Sequence, residues 1–269
     1  MYLAQLDSTK VRSLRNEMRR AFLLACCIEP LGQKPGCTTR RIDSSPGTKL
    51  PYFIVSAVNS VEPLLEILDR TLSRGGQPPL IFDLAFDAQI ASVRSRLGGK
   101  VNYAQIFMLL PIMVAQSLLL IENKDCFDPS TIADRSKAVI ASTTREDVQS
   151  LQTFVDASRH LSETHNIRIN KKREQLHPQF SLCRTVFEAT HQPQFEHMNM
   201  VREVREGYPL SLRVYLEYFS TPGSDLLAQT EVAFDNLLHL VSRPDAMADV
   251  IVVAMYFAII AGRDAKLFQ

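Results

Sequence analysis

The run Ile106–Ile121 is apolar at every position except Gln116 and Ser117. It is shorter than the ~20 residues a helix needs to cross a bilayer, and Pro111 lies inside it. A helix apolar on all sides, if not in lipid, must be surrounded by other helices. A chain carrying such a segment therefore needs several amphipathic helices to cover it, and the rest of the sequence supplies them.

Val11, Leu14, Met18, Phe22, Ala25 and Ile28 recur at steps of three and four, Asp7 or Ser8 can cap their start, and Pro30 closes the segment. Pro51 opens a second helix lined by Phe53, Ile54, Ala57, Val58, Val61, Leu64, Leu65 and Leu68; Pro63 predicts a kink, or a second start capped by Ser60, and Gly75-Gly76 a stop. Leu80–Leu97 reads as a third helix stopped by Gly98-Gly99, and Tyr103–Glu122 as the apolar one. Asp128-Pro129 starts a fifth. Thr143 to Glu146 is a capping box for a sixth. Shorter helices are expected over 179–190, 193–206 and 209–219, and longer ones over 225–241 and 245–260. Period-two strand patterns between turn signals are missing, and neither GxGxxG after a strand nor a P-loop occurs. The expectation is an all-α fold: one bundle-like domain over residues 1–269 around a central apolar helix.

With 30 basic and 29 acidic residues the net charge is +1, so the broad basic surface of a nucleic-acid binder is absent and any phosphate site must be local. The run Arg168–Arg173 reads as a solvated loop. The five cysteines lack paired CxxC spacing, which argues against a disulfide framework or zinc site, and the six histidines form no ligand pattern. Arg12, Arg15, Arg19 and Arg20 interrupt any secretory pattern, and the expected compartment is the cytoplasm, with no membrane span.

Chemistry concentrates in Gln33–Asp43, directly after the first helix. Pro35-Gly36 forces a turn whose amides can face an anion; Lys34, Arg40 and Arg41 add positive charge, and Asp43 could hold a divalent ion between phosphates. The alternative is a solvated loop with weak surface pairs. Cys37 is the thiol whose basic neighbours would favour a thiolate.

Glu29, then Lys34-Pro35-Gly36, then Arg40 resembles the signature of the triphosphoribosyl-dephospho-CoA synthase family, Glu-x4-Lys-Pro-Gly followed by Arg. Lys100-Val101-Asn102-Tyr103-Ala104 is similar to that family's Asn-Thr-Asn-x-Gly entry to an apolar helix. Arg205-Glu206-Gly207-Tyr208-Pro209-Leu210 resembles an acidic-x-Gly-Tyr-Pro-Leu segment, and Leu237 to Asp245 its late helix and Asp-bearing loop. The resemblance implies a ribosyl transfer in which the 2′-hydroxyl of 3′-dephospho-CoA attacks C1′ of ATP and adenine leaves. It implies Glu29 or Glu206 as the catalytic carboxylate; Lys34, Gly36, Arg40, Arg41, Asn102 and Tyr208 on phosphate, ribose or base; and Mg²⁺, brought with ATP, on Asp43 or Asp245. The implied partners are ATP or a related nucleotide, a coenzyme A-like acceptor and a second copy of the chain as a homodimer. For Asn102 the alternative is a helix cap, and for Glu206 and Tyr208 a helix end with a turn. Cys37, Thr39, Lys100 and Ala104 depart from the family pattern, and no base follows Asp245. Two further readings stay open: the same fold on another nucleotide or acceptor, as in one-carbon cofactor synthesis, or a degenerate relative that binds a nucleotide or protein without turnover.

Overall fold

Asp7 accepts a hydrogen bond from Thr9 N at 2.8 Å and so opens α1 (Ser8–Ile28), whose buried stripe is the predicted one from Leu14 to Ile28. The computed structural model describes residues 7–43, 48–75, 77, 79–94, 101–163, 180–195, 198–223, 225–241 and 243–262. The predicted stops at Gly76 and Gly98-Gly99, Lys100, the basic run Arg168–Arg173, and His165, His177 and His197 lie outside these residues.

Ten more α-helices follow among the described residues, with no strand: α2 (Leu50–Ser73), α3 (Phe82–Ser92), α4 (Tyr103–Ile121), α5 (Pro129–Ala141), α6 (Arg145–Glu163), α7 (Val186–Thr190), α8 (Asn199–Glu206), α9 (Pro209–Val214), α10 (Leu226–Leu237) and α11 (Pro244–Ile260). The fold is all-α, as the periodicity predicts. Pro63 does not divide α2, which runs continuously and packs on α1, α3 and α4; Ser60 turns its hydroxyl back to Ser56 O at 2.8 Å instead of capping a new start. Packing along three neighbours outweighs one missing backbone bond. The sixth helix is capped one residue later than expected: Thr144 N donates to Asp147 Oδ2 at 3.1 Å, while Asp147 Oδ1 accepts from Ile81 N and ties α6 to α3.

At the centre lies α4. It is the one helix among the described residues long and apolar enough to cross a membrane by length and composition, yet 94% of its apolar window is buried inside the protein, as a core helix requires. Beside it lies α11, buried almost throughout from Met247 to Ile260. Two polar ties join them. Tyr256 donates its hydroxyl to Gln116 Oε1 at 2.7 Å deep in the core, and Gln105 Nε2 donates to Asp249 Oδ1 at 2.7 Å near their starts. Both ties advance in the same sense along each helix, so α4 and α11 run in the same direction and their N-termini open on the same side.

Candidate active site

Where those two N-termini open lies a cavity of about 650 Å³. Residues at the start of α4 (Asn102 to Gln105) and the start of α11 (Arg243 to Asp249) form much of its wall, and the segment after α1 contributes Glu29 and Gly36 to Thr38. Neither helix start is capped by a side chain, in contrast to α1, α5, α7 and α10, which use Asp7, Asp128, Thr185 and Asp225. The positive ends of two long helix dipoles therefore face one space, which favours an anion there.

The Glu29–Lys34 turn builds one side. Gly32 N returns to Glu29 O, and Gln33 N donates to Glu231 Oε1 at 2.8 Å, anchoring the turn on α10. Lys34 folds its ammonium back onto Glu29: Nζ is 2.8 Å from Glu29 Oε1 and also donates to Glu29 O. The Lys34 side chain is fully buried, so this ammonium is committed to Glu29. Gly36 has φ +78°, and a Cβ there would stand 3.2 Å from Pro244 Cγ. Glycine thus serves both the left-handed turn and the close approach of this segment to the start of α11.

Of the residues expected to bind or react, Glu29, Gly36, Asn102 and Asp245 line the cavity, with Lys34 behind Glu29. The others do not converge there. Thr39 N donates to Ile42 O at 2.8 Å and Thr39 Oγ1 accepts from Arg41 N and Ile42 N, a tight turn that leaves Arg40, Arg41 and Asp43 exposed and off the cavity wall. The expected grip on polyphosphate by Lys34, Arg40 and Arg41 is not what the cavity offers; Arg243 is the cation among the lining residues. Glu206 lies outside it, held by Arg202 at 3.0 Å and Arg205 at 2.8 Å; slight burial raises its carboxyl, but hydrogen bonds from the two guanidinium groups outweigh this and leave its pKa lowered. Tyr208 is fully buried, donates to Met108 O at 2.6 Å and packs edge-on to Phe257. Gly207 ends α8 in the left-handed region and Pro209 opens α9, so that motif is a helix end with a turn. Asn102 occupies the N-terminal position of α4 without capping it: its Nδ2 donates to Phe53 O at 2.9 Å, joining α4 to α2.

Asp245 is exposed, with Oδ2 2.8 Å from the Arg243 guanidinium and Oδ1 accepting from Ala246 N. Among the described residues no three of His, Cys, Asp and Glu are placed to hold a metal ion. Cys37 lines the cavity, but burial pushes its thiol up to about 12, with Glu29 adding to the shift and Lys34 opposing it; the expected thiolate is not favoured.

Sequence reasoning passed over Asp249, Gln105 and Arg243. Asp249 follows Asp245 by one helical turn, so both lie on the same face of α11, and this spacing was a readable signal. Burial, with Asp245 and then Glu29 adding to it, pushes the Asp249 carboxyl up to about 8, against the opposing effects of Gln105 and Arg243. Arg243, two residues before Asp245, pairs with it at 2.8 Å. Phe53, Tyr103, Met198 and Met200 add apolar surface to the lining, and Tyr103 stacks on Phe154 with ring centroids 4.5 Å apart.

Residues 15–257 match the family model for CitG, ATP:dephospho-CoA triphosphoribosyl transferase. A crystal structure from Archaeoglobus fulgidus, named as a candidate triphosphoribosyl-dephospho-CoA synthase, is similar at 16% identity and a TM-score of 0.48, covering 78% of this chain and 100% of that one. Among curated proteins none matches significantly.

Proposed function

The chain belongs to the ATP:dephospho-CoA triphosphoribosyl transferase family, and from that premise we propose that it moves the triphosphoribosyl group of ATP to a hydroxyl of a coenzyme A-like acceptor, releasing adenine. The observation that carries this reading is the Glu29–Lys34 pair set in the wall of a cavity onto which two uncapped helix N-termini open. A cavity of about 650 Å³ suits one nucleotide. The transition state for leaving C1′ resembles an oxocarbenium ion, and a negative carboxylate beside it is stabilising in a site that excludes water. Glu29 supplies that charge and can accept the proton of the attacking hydroxyl. The helix starts and Arg243 favour the phosphates, and the apolar part of the lining offers a surface for the base.

Mg²⁺, in this reading, arrives chelated by the phosphates of ATP; among the described residues no three of His, Cys, Asp and Glu are placed to cage it. The five cysteines are free, which fits a reducing cytoplasm. A homodimer remains part of the proposal only as an expectation from the resemblance.

The test is incubation of pure protein with ATP, Mg²⁺ and 3′-dephospho-CoA. Equal amounts of adenine and of the triphosphoribosyl adduct are expected by chromatography and mass spectrometry; absence of adenine under every metal condition overturns the reading. A second reading, the same fold on another nucleotide or acceptor, is favoured by the lining of the cavity, where among the described residues Arg243 is the one cation beside three carboxyl groups. A thermal-shift screen of nucleotides and coenzymes separates the two.

A further inference from the structure

Three carboxyl groups line the cavity, and two of them, Glu29 and Asp249, come from different elements and lie in unlike surroundings. Glu29 lies against the ammonium of buried Lys34. Among the described residues Asp249, one turn into α11, meets no cation at hydrogen-bonding distance; its Oδ1 accepts from the Gln105 amide at 2.7 Å, and Oδ2 has no hydrogen-bond partner. The charged and titratable groups around Asp249 are Glu29 from the turn after α1, Asp245 from its own helix, Arg243 before that helix, and the thiols of Cys26 and Cys37. Two of the three charged neighbours in that set, Glu29 and Asp245, are carboxylates, so a third negative charge is disfavoured there. The Gln105 amide assigns the carbonyl role to Oδ1. The proton of a neutral Asp249 then rests on Oδ2, the oxygen left to face a ligand.

We propose that Asp249 is the general acid that protonates the departing purine, while Glu29 takes the proton of the attacking hydroxyl. The assignment rests on the ribosyl-transfer reading above. In the step, the acceptor oxygen forms its bond to C1′ as the C1′–N9 bond breaks, and the electron pair of that bond stays with the purine. The proton on Asp249 Oδ2 passes to a ring nitrogen of the purine, giving neutral adenine; the hydroxyl proton passes to Glu29. Return of that proton to Asp249 through solvent resets the pair, and no other reactant is needed. The two carboxyls differ in what touches them, an ammonium at Glu29 and a neutral amide at Asp249, and carboxyls in such unlike settings can divide base and acid work. A carboxyl raised to about 8 keeps its proton at neutral pH and can still give it up.

The experiment compares wild type and Asp249→Asn, across a pH series, with ATP and with N7-methylated ATP, both with Mg²⁺ and 3′-dephospho-CoA. The methylated purine is already cationic and departs without a proton. With ATP, Asp249→Asn is expected to lower kcat about a hundred-fold or more with KM little changed; with the methylated nucleotide most of that loss is expected to disappear. Wild-type kcat with ATP should fall above about pH 8, and with the methylated nucleotide it should not. The wild-type comparison needs no variant, so a variant that fails to fold does not shield the proposal. Equal losses with both nucleotides, a variant as fast as wild type, or a wild-type profile unchanged by methylation would each overturn the acid role and leave the transferase reading standing. If wild type releases no adenine from ATP, the transferase reading fails and the acid role with it.

Discussion

Lys34 Nζ stands 2.8 Å from Glu29 Oε1 and donates as well to the carbonyl oxygen of the same residue, with both side chains almost out of contact with solvent. One ammonium thus closes the turn from Glu29 to Lys34 and balances the charge of a cavity-facing carboxylate. Removing either partner leaves the other as an uncompensated buried charge.

Lys34→Met leaves Glu29 without its counter-charge. The expected cost is about 3–5 kcal/mol of stability, measured by denaturant unfolding, together with loss of adenine release. Glu29→Gln strands the buried Lys34 ammonium, so a cost of the same size, about 3–5 kcal/mol, is expected together with loss of most turnover. In the Glu29→Gln background, Lys34→Met is expected to be milder than it is alone, and a double-mutant cycle reads this coupling.

Gly36→Ala places a methyl group at φ +78° against Pro244. A loss of about 1–3 kcal/mol is expected from the strained backbone, and the start of α11 should shift with it. Thermal unfolding gives the first number. Hydrogen exchange at the amides of Ala246 to Asp249 gives the second.

Asp249→Asn should change how stability depends on pH. In the folded protein this carboxyl titrates near 8, against 3.8 as its ordinary value. Between those values the folded state holds a proton that the unfolded state has lost, so wild-type stability falls as pH rises through this window. The variant lacks this slope. Its Tm relative to wild type should therefore be more favourable at pH 8 than at pH 5, as calorimetry at the two values would show.

Tyr208→Phe removes a hydroxyl whose hydrogen bond to Met108 O is buried. A cost of about 1–2 kcal/mol is expected, with nucleotide affinity unchanged by calorimetric titration. Arg40→Ala and Arg41→Ala, at the exposed tip of the Thr39 turn, should leave both stability and the KM for ATP nearly unaltered. A large rise in KM for either would return those arginines to the binding site.

Most of the helical plan was open to reading because caps and periodicity are local: Asp7, Asp128 and Asp225 mark starts that the structure keeps. Pro63 does not split α2, because its cost is local while the packing that absorbs it comes from α1, α3 and α4. In the site, Glu29, Gly36, Asn102 and Asp245 were legible from motif order. The direction of Arg40 and Arg41 was not, since the Thr39 turn that exposes them depends on where the chain goes next. Asp249 was hidden for another reason: its partner Gln105 stands 144 positions away, and only the parallel packing of α4 and α11 brings the two together.

The tie of Tyr256 to Gln116 fastens those two rods well below the mouth of the cavity. Their spacing is thereby fixed at a point that no substrate reaches. Over evolutionary time residues around the rim can be exchanged without splaying the pair apart, and a scaffold held from below in this way can host a succession of acceptors while the ends of the rods keep their common aim.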